Sequence, residues 1–337
     1  MFRSNAPLLL LAALAAFNVA LAADSARVCA ADPYADPAND PCNILKYIPN
    51  LGANAVASVL YFLTAIALTY QQFRHRARWM LVLTIGAWAE GVGIALRLYY
   101  RQKPQVTSSY IAMNTVVVLS PCLFLAADYI LLGRLVAYIE GSEYIRPLKP
   151  RLVSTVFVCS DVLTFLIQGS GGGLAASGSQ SSADLGSKLF LIGLALQLVS
   201  FALFTCLWAV VGWRIKRNDP YLWRNTSGWK KVYWSLGFTC IFYLIRSFFR
   251  TIELADGFTG YLTTHEIYYL LLDALPLFIG ITTFVPFWPG KYIVHGTVFQ
   301  SIPLQERGGS NTNTGVNAVG YGGGNRSGEL SPLDNKQ

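Results

Sequence analysis

The sequence predicts an all-α membrane protein, a seven-transmembrane helix bundle with its N-terminus outside and its C-terminus cytoplasmic. Three observations predict it. Of the 337 residues, 53% are hydrophobic and only 13% charged, with a mean hydropathy of +0.42; a soluble domain carries roughly 25% charged residues. Seven apolar runs stand at about 52–71, 79–99, 111–134, 152–169, 188–211, 232–251 and 264–285, each near the roughly 20 residues that cross a bilayer. The basic residues then alternate from loop to loop. Arg74, Arg76 and Arg78 follow the first run, Arg146, Lys149 and Arg151 the third, and Arg214, Lys216, Arg217, Arg224, Lys230 and Lys231 the fifth. The positive-inside rule places those three loops in the cytoplasm and the N-terminus outside.

Taken in order, residues 1–22 read as a signal peptide. Arg3 supplies the charged start, Leu8 to Ala20 the apolar stretch and Ala20-Leu21-Ala22 the small-residue cleavage site. Residues 23–51 form an extracellular N-terminal segment rich in Asp, Pro and Asn, where Cys29 and Cys42 are a disulfide candidate. Residues 52–290 make the transmembrane domain, and the Gly/Ser-rich stretch from Gly169 to Ser187 reads as a flexible outer loop. Residues 291–337 are polar, rich in Gly, Asn and Ser, and read as a disordered cytoplasmic tail.

The informative residues are the polar ones inside the spans, because a charge at the centre of a bilayer costs about 2.5–3.5 kcal/mol and needs a partner or water. The second run carries Glu90 and Arg97, the third Asp128, the fourth Asp161 and Gln168, the fifth Gln197. The sixth carries Arg246, Arg250 and Glu253 on one helical face, and the seventh carries His265, Glu266 and Asp273. On a regular α-helix Glu266 and Asp273, seven apart, share a stripe. The set reads as a ligand or translocation cavity widening outward. Opposite charges inside it also have a purely structural use, Glu90 with Arg246 or Glu253 with Arg97. Six acids against three arginines favour a cationic or amine-bearing ligand.

Several function classes lack their residues. His265-Glu266 resembles the start of a zincin motif, but Tyr269 stands where its second histidine belongs, and the other histidines are His75 and His295. No metal site, cofactor or catalytic constellation follows, and there is no nucleotide-binding glycine loop with its lysine. The net charge of +8 is spread over loops between apolar runs, which points away from nucleic acid. The protein is therefore expected not to be an enzyme.

Ordered motifs then carry a resemblance from Tyr47 to about Tyr292. They are Tyr47-x-Pro49 with Asn54, Glu90-Gly91 through Arg97, and Pro121 with Asp128-Tyr129 and Gly133-Arg134. Asp161 through Gln168, Gly171-Gly172-Gly173, and Gly193 with Gln197 follow. The densest part is Arg246-Ser247-x-x-Arg250-x-x-Glu253 with Gly257, His265-Glu266, Tyr269 and Asp273. On these residues the chain resembles the fungal RTA-like proteins, the lipid-translocating exporter family of seven-span membrane proteins. Where that family often has His-Pro-Gly after the last span, this chain has Trp288-Pro289-Gly290. The resemblance implies translocation or export of amphiphiles at the plasma membrane, with membrane lipids as partners: sphingoid long-chain bases, sterol-like toxic compounds and drugs. The competing reading is a seven-span receptor that senses such lipids without moving them. Neither reading specifies an oligomeric state.

Overall fold

The computed structural model describes residues 29–293, apart from 41, 140, 142, 146–149, 176–179, 226–227 and 258–259. The signal-peptide reading of residues 1–22 and nearly all of the tail lie outside the described residues. Seven helices are long and apolar enough to cross a membrane, and the protein is a multi-pass membrane protein. They are α1 (Leu51–His75), α2 (Leu81–Gln102), α3 (Thr107–Tyr138), α4 (Pro150–Ala175), α5 (Gln180–Asn218), α6 (Gly228–Ala255) and α7 (Glu266–Thr283). Among the described residues there is no β-strand.

Helix α1 illustrates how the sequence makes a span. The Asn50 side chain accepts from the Ala53 amide at 3.1 Å and so caps an orphan donor. Arg76 ends the helix in a left-handed conformation, φ 49°, after Arg74 and His75 in the last turn. Asn54, Ser58, Tyr61, Ala65, Leu68 and Gln72 are buried at alternating spacings of four and three, one face of an α-helix. Val56, Val59, Leu63, Ile66 and Phe73 are exposed on the other side. Such a face is unfavourable in water and natural against lipid tails.

Chain neighbours α1–α2, α2–α3 and α4–α5 pack as adjacent helices, and α6 packs against α3, α5 and α7. An aromatic cluster ties α3, α4 and α5 together, with Tyr129 and Phe204 at 4.6 Å and Phe157 and Phe204 at 5.4 Å between centroids. Each such pair adds roughly 0.5–1.5 kcal/mol beyond its burial.

The Gly-rich stretch is not the flexible loop expected of it. Helix α4 runs through Gly169–Gly173 to Ala175, and α5 begins at Gln180. A Cβ at Gly171 would lie 2.6 Å from the Phe190 amide nitrogen and 2.7 Å from the Gly186 carbonyl; at Gly193 it would lie 2.6 Å from Gln168. These glycines let two membrane helices approach backbone to backbone, the use of small residues where lipid offers no hydrophobic drive. Composition alone reads such a run as a turn, since glycine serves both.

Helix α7 departs from regularity. Glu266–Tyr268 is α-helical, Tyr269–Ala274 is a π-helix, and Leu275–Thr283 is α-helical again. Pro276 has no amide to donate and crowds the preceding turn, and a wider turn relieves both problems. Helix α3 continues unbroken through Pro121 at mid-length. A four-residue helix, Pro289–Tyr292, overlaps the start of the segment expected to be tail.

Residues 29–50 form an irregular strap over the bundle end where α2 finishes and α1 and α7 begin. Cys29 and Cys42 are joined by a disulfide. Tyr34 donates to the Arg101 carbonyl at 3.1 Å, Tyr100 donates to Asn43 Oδ1 at 2.9 Å, and Arg101 donates to the Pro49 carbonyl at 2.6 Å. Inside the loop, Asp40 accepts from the Cys42 amide, Gln105 and the Ala30 amide. Burial pushes the Asp40 carboxyl up, but those hydrogen bonds and Lys46 outweigh it and hold it below the ordinary 3.8.

Candidate functional site

The expected site residues divide into three groups. The first joins the strap to α1, α2 and α7. Glu266 accepts from the Asn50 amide at 2.7 Å and from Asn54 Nδ2 at 2.6 Å, and lies 3.6 Å from Arg97 Nη2. Arg97 donates to Asn54 Oδ1 at 3.1 Å and to the Tyr47 hydroxyl at 2.6 Å, and its guanidinium sits 3.8 Å from the Tyr269 ring centroid. Every donor direction of a buried arginine is costly to leave empty, and this one is nearly saturated.

The second group links α6 to α7. Arg250 donates to Asp273 Oδ2 at 2.8 Å and to Glu253 Oε2 at 3.0 Å. Arg246 Nε lies 2.8 Å from Asp273 Oδ1, a contact of charges rather than an aligned hydrogen bond. Asp273 is fully buried between the two arginines. The i, i+4, i+7 spacing of Arg246, Arg250 and Glu253 therefore does turn one face of α6 toward α7.

The third group has no cation. Ser120 of α3 donates to Glu90 of α2, Thr239 of α6 donates to Asp128 at 2.9 Å, and Tyr129 donates to Asp161 of α4 at 2.9 Å. Each carboxylate is buried and keeps one oxygen with no hydrogen-bond partner. Beside them Gln168 donates to Gln197 at 3.0 Å, and Gln197 in turn contacts Cys122 Sγ at 3.4 Å.

Four expectations need correction. The pairs are not Glu90 with Arg246 or Glu253 with Arg97. Among the described residues Arg246 pairs with Asp273 and Arg97 with Glu266, because α7 lies between α2 and α6 at this level. Glu266 and Asp273 do not share a stripe, since the π-turn between them changes the register: Glu266 meets α1 and α2, and Asp273 meets α6. His265 does not join the site. It is exposed at the break before α7, with Nδ1 2.8 Å from the Tyr261 carbonyl and its ring 4.1 Å from that of Tyr261. The acids and arginines expected to line an open vestibule are also largely buried against one another, with Arg250 at 18% and Glu266 at 13% side-chain exposure the least enclosed among the ion pairs.

The hydroxyl donors Ser120 and Thr239 escaped the sequence reading. A serine or threonine in an apolar run ordinarily satisfies itself on its own backbone, and the hydroxyls of Ser120 and Thr239 have the Val116 and Leu236 carbonyls as second acceptors for their one proton. Tyr47, Asn54 and Tyr129 were visible only as motif letters. A separate groove of about 760 Å³ opens between α6 and α7, lined by Trp234, Phe238, Phe278 and Phe287 with Lys230 and Lys231 beside it. It lies at the other end of α6 from Arg250 and Glu253. Among the described residues no three of His, Cys, Asp or Glu converge as a metal-ligand set.

The sequence profile of the RTA1 like protein family matches residues 83–295, a stretch that holds all three arginines and all six carboxylates of the site. The chain belongs to this family. Relatives are curated in Saccharomyces cerevisiae. Protein RTA1 is 25% identical over 277 residues, 75% of this chain and 86% of the relative. The sphingoid long-chain base transporter RSB1 is 27% identical over 280 residues, 72% of each chain. Protoporphyrin uptake protein 1 is 30% identical over 199 residues, 59% of this chain and 65% of the relative. No solved structure matches the chain. Tyr47 and Asn54, which hold Arg97, lie before the family match begins.

Proposed function

We propose that this RTA1-family member translocates an amphiphilic, amine-bearing lipid across the membrane. Sphingoid long-chain bases are the favoured class and sterol-like amines the next. The observation that carries this reading is the charge imbalance of the core. Arg97, Arg246 and Arg250 are each matched to a carboxylate, while Glu90, Asp128 and Asp161 have only hydroxyl partners. An interior that is short of cations welcomes an ammonium headgroup and repels an anion. By the same chemistry the named cargo of RSB1, a long-chain base, suits this chain better than a porphyrin with its propionates.

The domain plan goes with it: a signal peptide over 1–22, a strap outside the membrane over 23–51, a seven-helix body over 52–290 and a cytoplasmic tail over 291–337. The basic loops after α1, α3 and α5 and the disulfide in the strap support an outside N-terminus. The plasma membrane is the expected residence.

The test is reconstitution. Purified protein in vesicles is expected to speed inward movement of a fluorescent sphingoid base over protein-free vesicles and to leave a neutral fluorescent ceramide unchanged. Binding without faster movement would favour the lipid-sensing receptor, and equal movement of both probes would contradict the amine preference.

A further inference from the structure

We propose that Glu90 is an exchange site at which a proton and the ammonium group of the cargo displace one another, making the protein a proton-linked carrier of organic cations. The inference deepens the proposed function and rests on it.

The starting point is a local charge count. Around Glu90 the neighbouring elements contribute Arg246 and Arg250 from α6, Asp273 and Tyr269 from α7, Tyr61 from α1 and Ser120 from α3. Glu253 is the second acid on Arg250. The two arginines balance Asp273 and Glu253, and their contacts with those two are direct. Glu90 is the remainder. It is fully buried, it accepts from one hydroxyl, and among the described residues no Lys, Arg or His nitrogen lies within ion-pair distance of it. A buried carboxylate in that position must be neutralised by a proton or by a cation.

Glu90 shares with Asp128 and Asp161 an oxygen that has no hydrogen-bond partner, and differs from them in its surroundings. Near it the hydroxyl of Tyr269, in the π-turn of α7, is also buried and without a hydrogen-bond partner. Native interiors rarely leave two such atoms unanswered. Tyr61 supplies an aromatic face of the kind that attracts an alkylammonium group, while the Tyr269 ring already carries Arg97. Glu90 also lies within electrostatic range of the irregular part of α7. Its donor Ser120 is followed by Pro121, and Tyr269 and Asp273 both lie in the π-turn of α7. A π-turn inside a helix is frequent at functional sites. Asp161 is instead bonded to Tyr129, which packs on Phe157 and Phe204, and Asp128 to Thr239.

The exchange balances simply. The O–H bond of the protonated Glu90 breaks, the proton leaves to solvent, and the ammonium takes its place beside the carboxylate. The interior charge is unchanged and no electrons move. A carrier that loses its proton on one side and its cation on the other couples the two gradients.

The test uses the full chain in detergent micelles and N,N,N-trimethylsphingosine, a probe whose charge cannot titrate. Isothermal titration calorimetry in buffers of different ionisation enthalpy counts the protons released on binding. About one proton per cation is expected, with affinity rising about tenfold per pH unit where Glu90 is protonated. Glu90→Gln is expected to release none and to bind roughly 10- to 100-fold more weakly, while the exposed control Cys159→Ser keeps the release. Binding without proton release, or unchanged release in Glu90→Gln, would overturn the proposal. So would the absence of binding. If Glu90→Gln does not yield folded protein, Ser120→Ala decides. Losing the hydroxyl that favours the charged form should move the exchange to higher pH, and an unmoved profile would overturn it. Vesicle flux separates the two readings: exchange without flux removes transport alone, and flux without exchange removes Glu90 alone.

Discussion

The two halves of the polar core use the same kind of residue for opposite ends. In one half, on α2, α6 and α7, carboxylates meet arginines: Glu266 with Arg97, and Asp273 with both Arg246 and Arg250. In the other, carboxylates meet hydroxyls: Glu90 with Ser120, Asp128 with Thr239 and Asp161 with Tyr129. The difference teaches how to read an acidic residue in a membrane span. With a cation beside it, an acid is a cross-link whose partner depends on it. With a hydroxyl beside it, an acid can gain a proton and strand no partner charge.

The largest effect that tests this contrast is expected in the arginine-paired half. Asp273→Ala strands the buried guanidinium of Arg246 and leaves Arg250 with Glu253 alone, and breaking a buried pair costs about 3–5 kcal/mol. The variant should lose its monodisperse peak in size-exclusion chromatography or melt far below the parent. A normal melting temperature would erase the distinction between the halves. On the α4–α5 side, Gly171→Leu forces a side chain into the backbone of Phe190, an overpacking cost of about 1–3 kcal/mol. A lowered melting temperature with the α6–α7 ion pairs intact would show that the halves are separately supported. In the hydroxyl-paired half, Asp161→Asn keeps shape and hydrogen bonding, so stability should change by less than about 1.5 kcal/mol in a thermal melt.

The smallest effect is in the strap. Asp40 is held below 3.8 by its hydrogen bonds, so its contribution is complete above that pH and is lost as pH falls through the lowered folded value. Hydrogen exchange of residues 29–50 should therefore quicken only in strong acid, and Asp40→Asn should remove that dependence.

Much of the fold could be read in the sequence because a bilayer makes one demand, about twenty apolar residues per crossing, and the chain meets it seven times. Span ends were less legible. Helix α5 runs over 39 residues because a polar start and a basic end both continue past the apolar part, and hydropathy marks only the latter. The Gly169–Gly173 stretch failed for a different reason, since closeness of approach to α5 is a tertiary property. For the site, the arginines and acids of the spans announced themselves by cost, and the structure brings most of them into contact. Their partners did not follow from spacing, because α7 carries a π-turn that no helical wheel contains. Ser120 and Thr239 were silent because hydroxyls in membrane helices usually serve their own backbone.

The central claim is best tested by carrying two variants side by side, Glu90→Gln and Asp273→Asn, through a thermal melt and a vesicle flux assay on the same preparations. Glu90→Gln is expected to melt near the parent and to lose proton-linked movement of the sphingoid cation. Asp273→Asn is expected to fail in the melt first. A stable, inactive Asp273→Asn beside an unfolded or fully active Glu90→Gln would contradict the account.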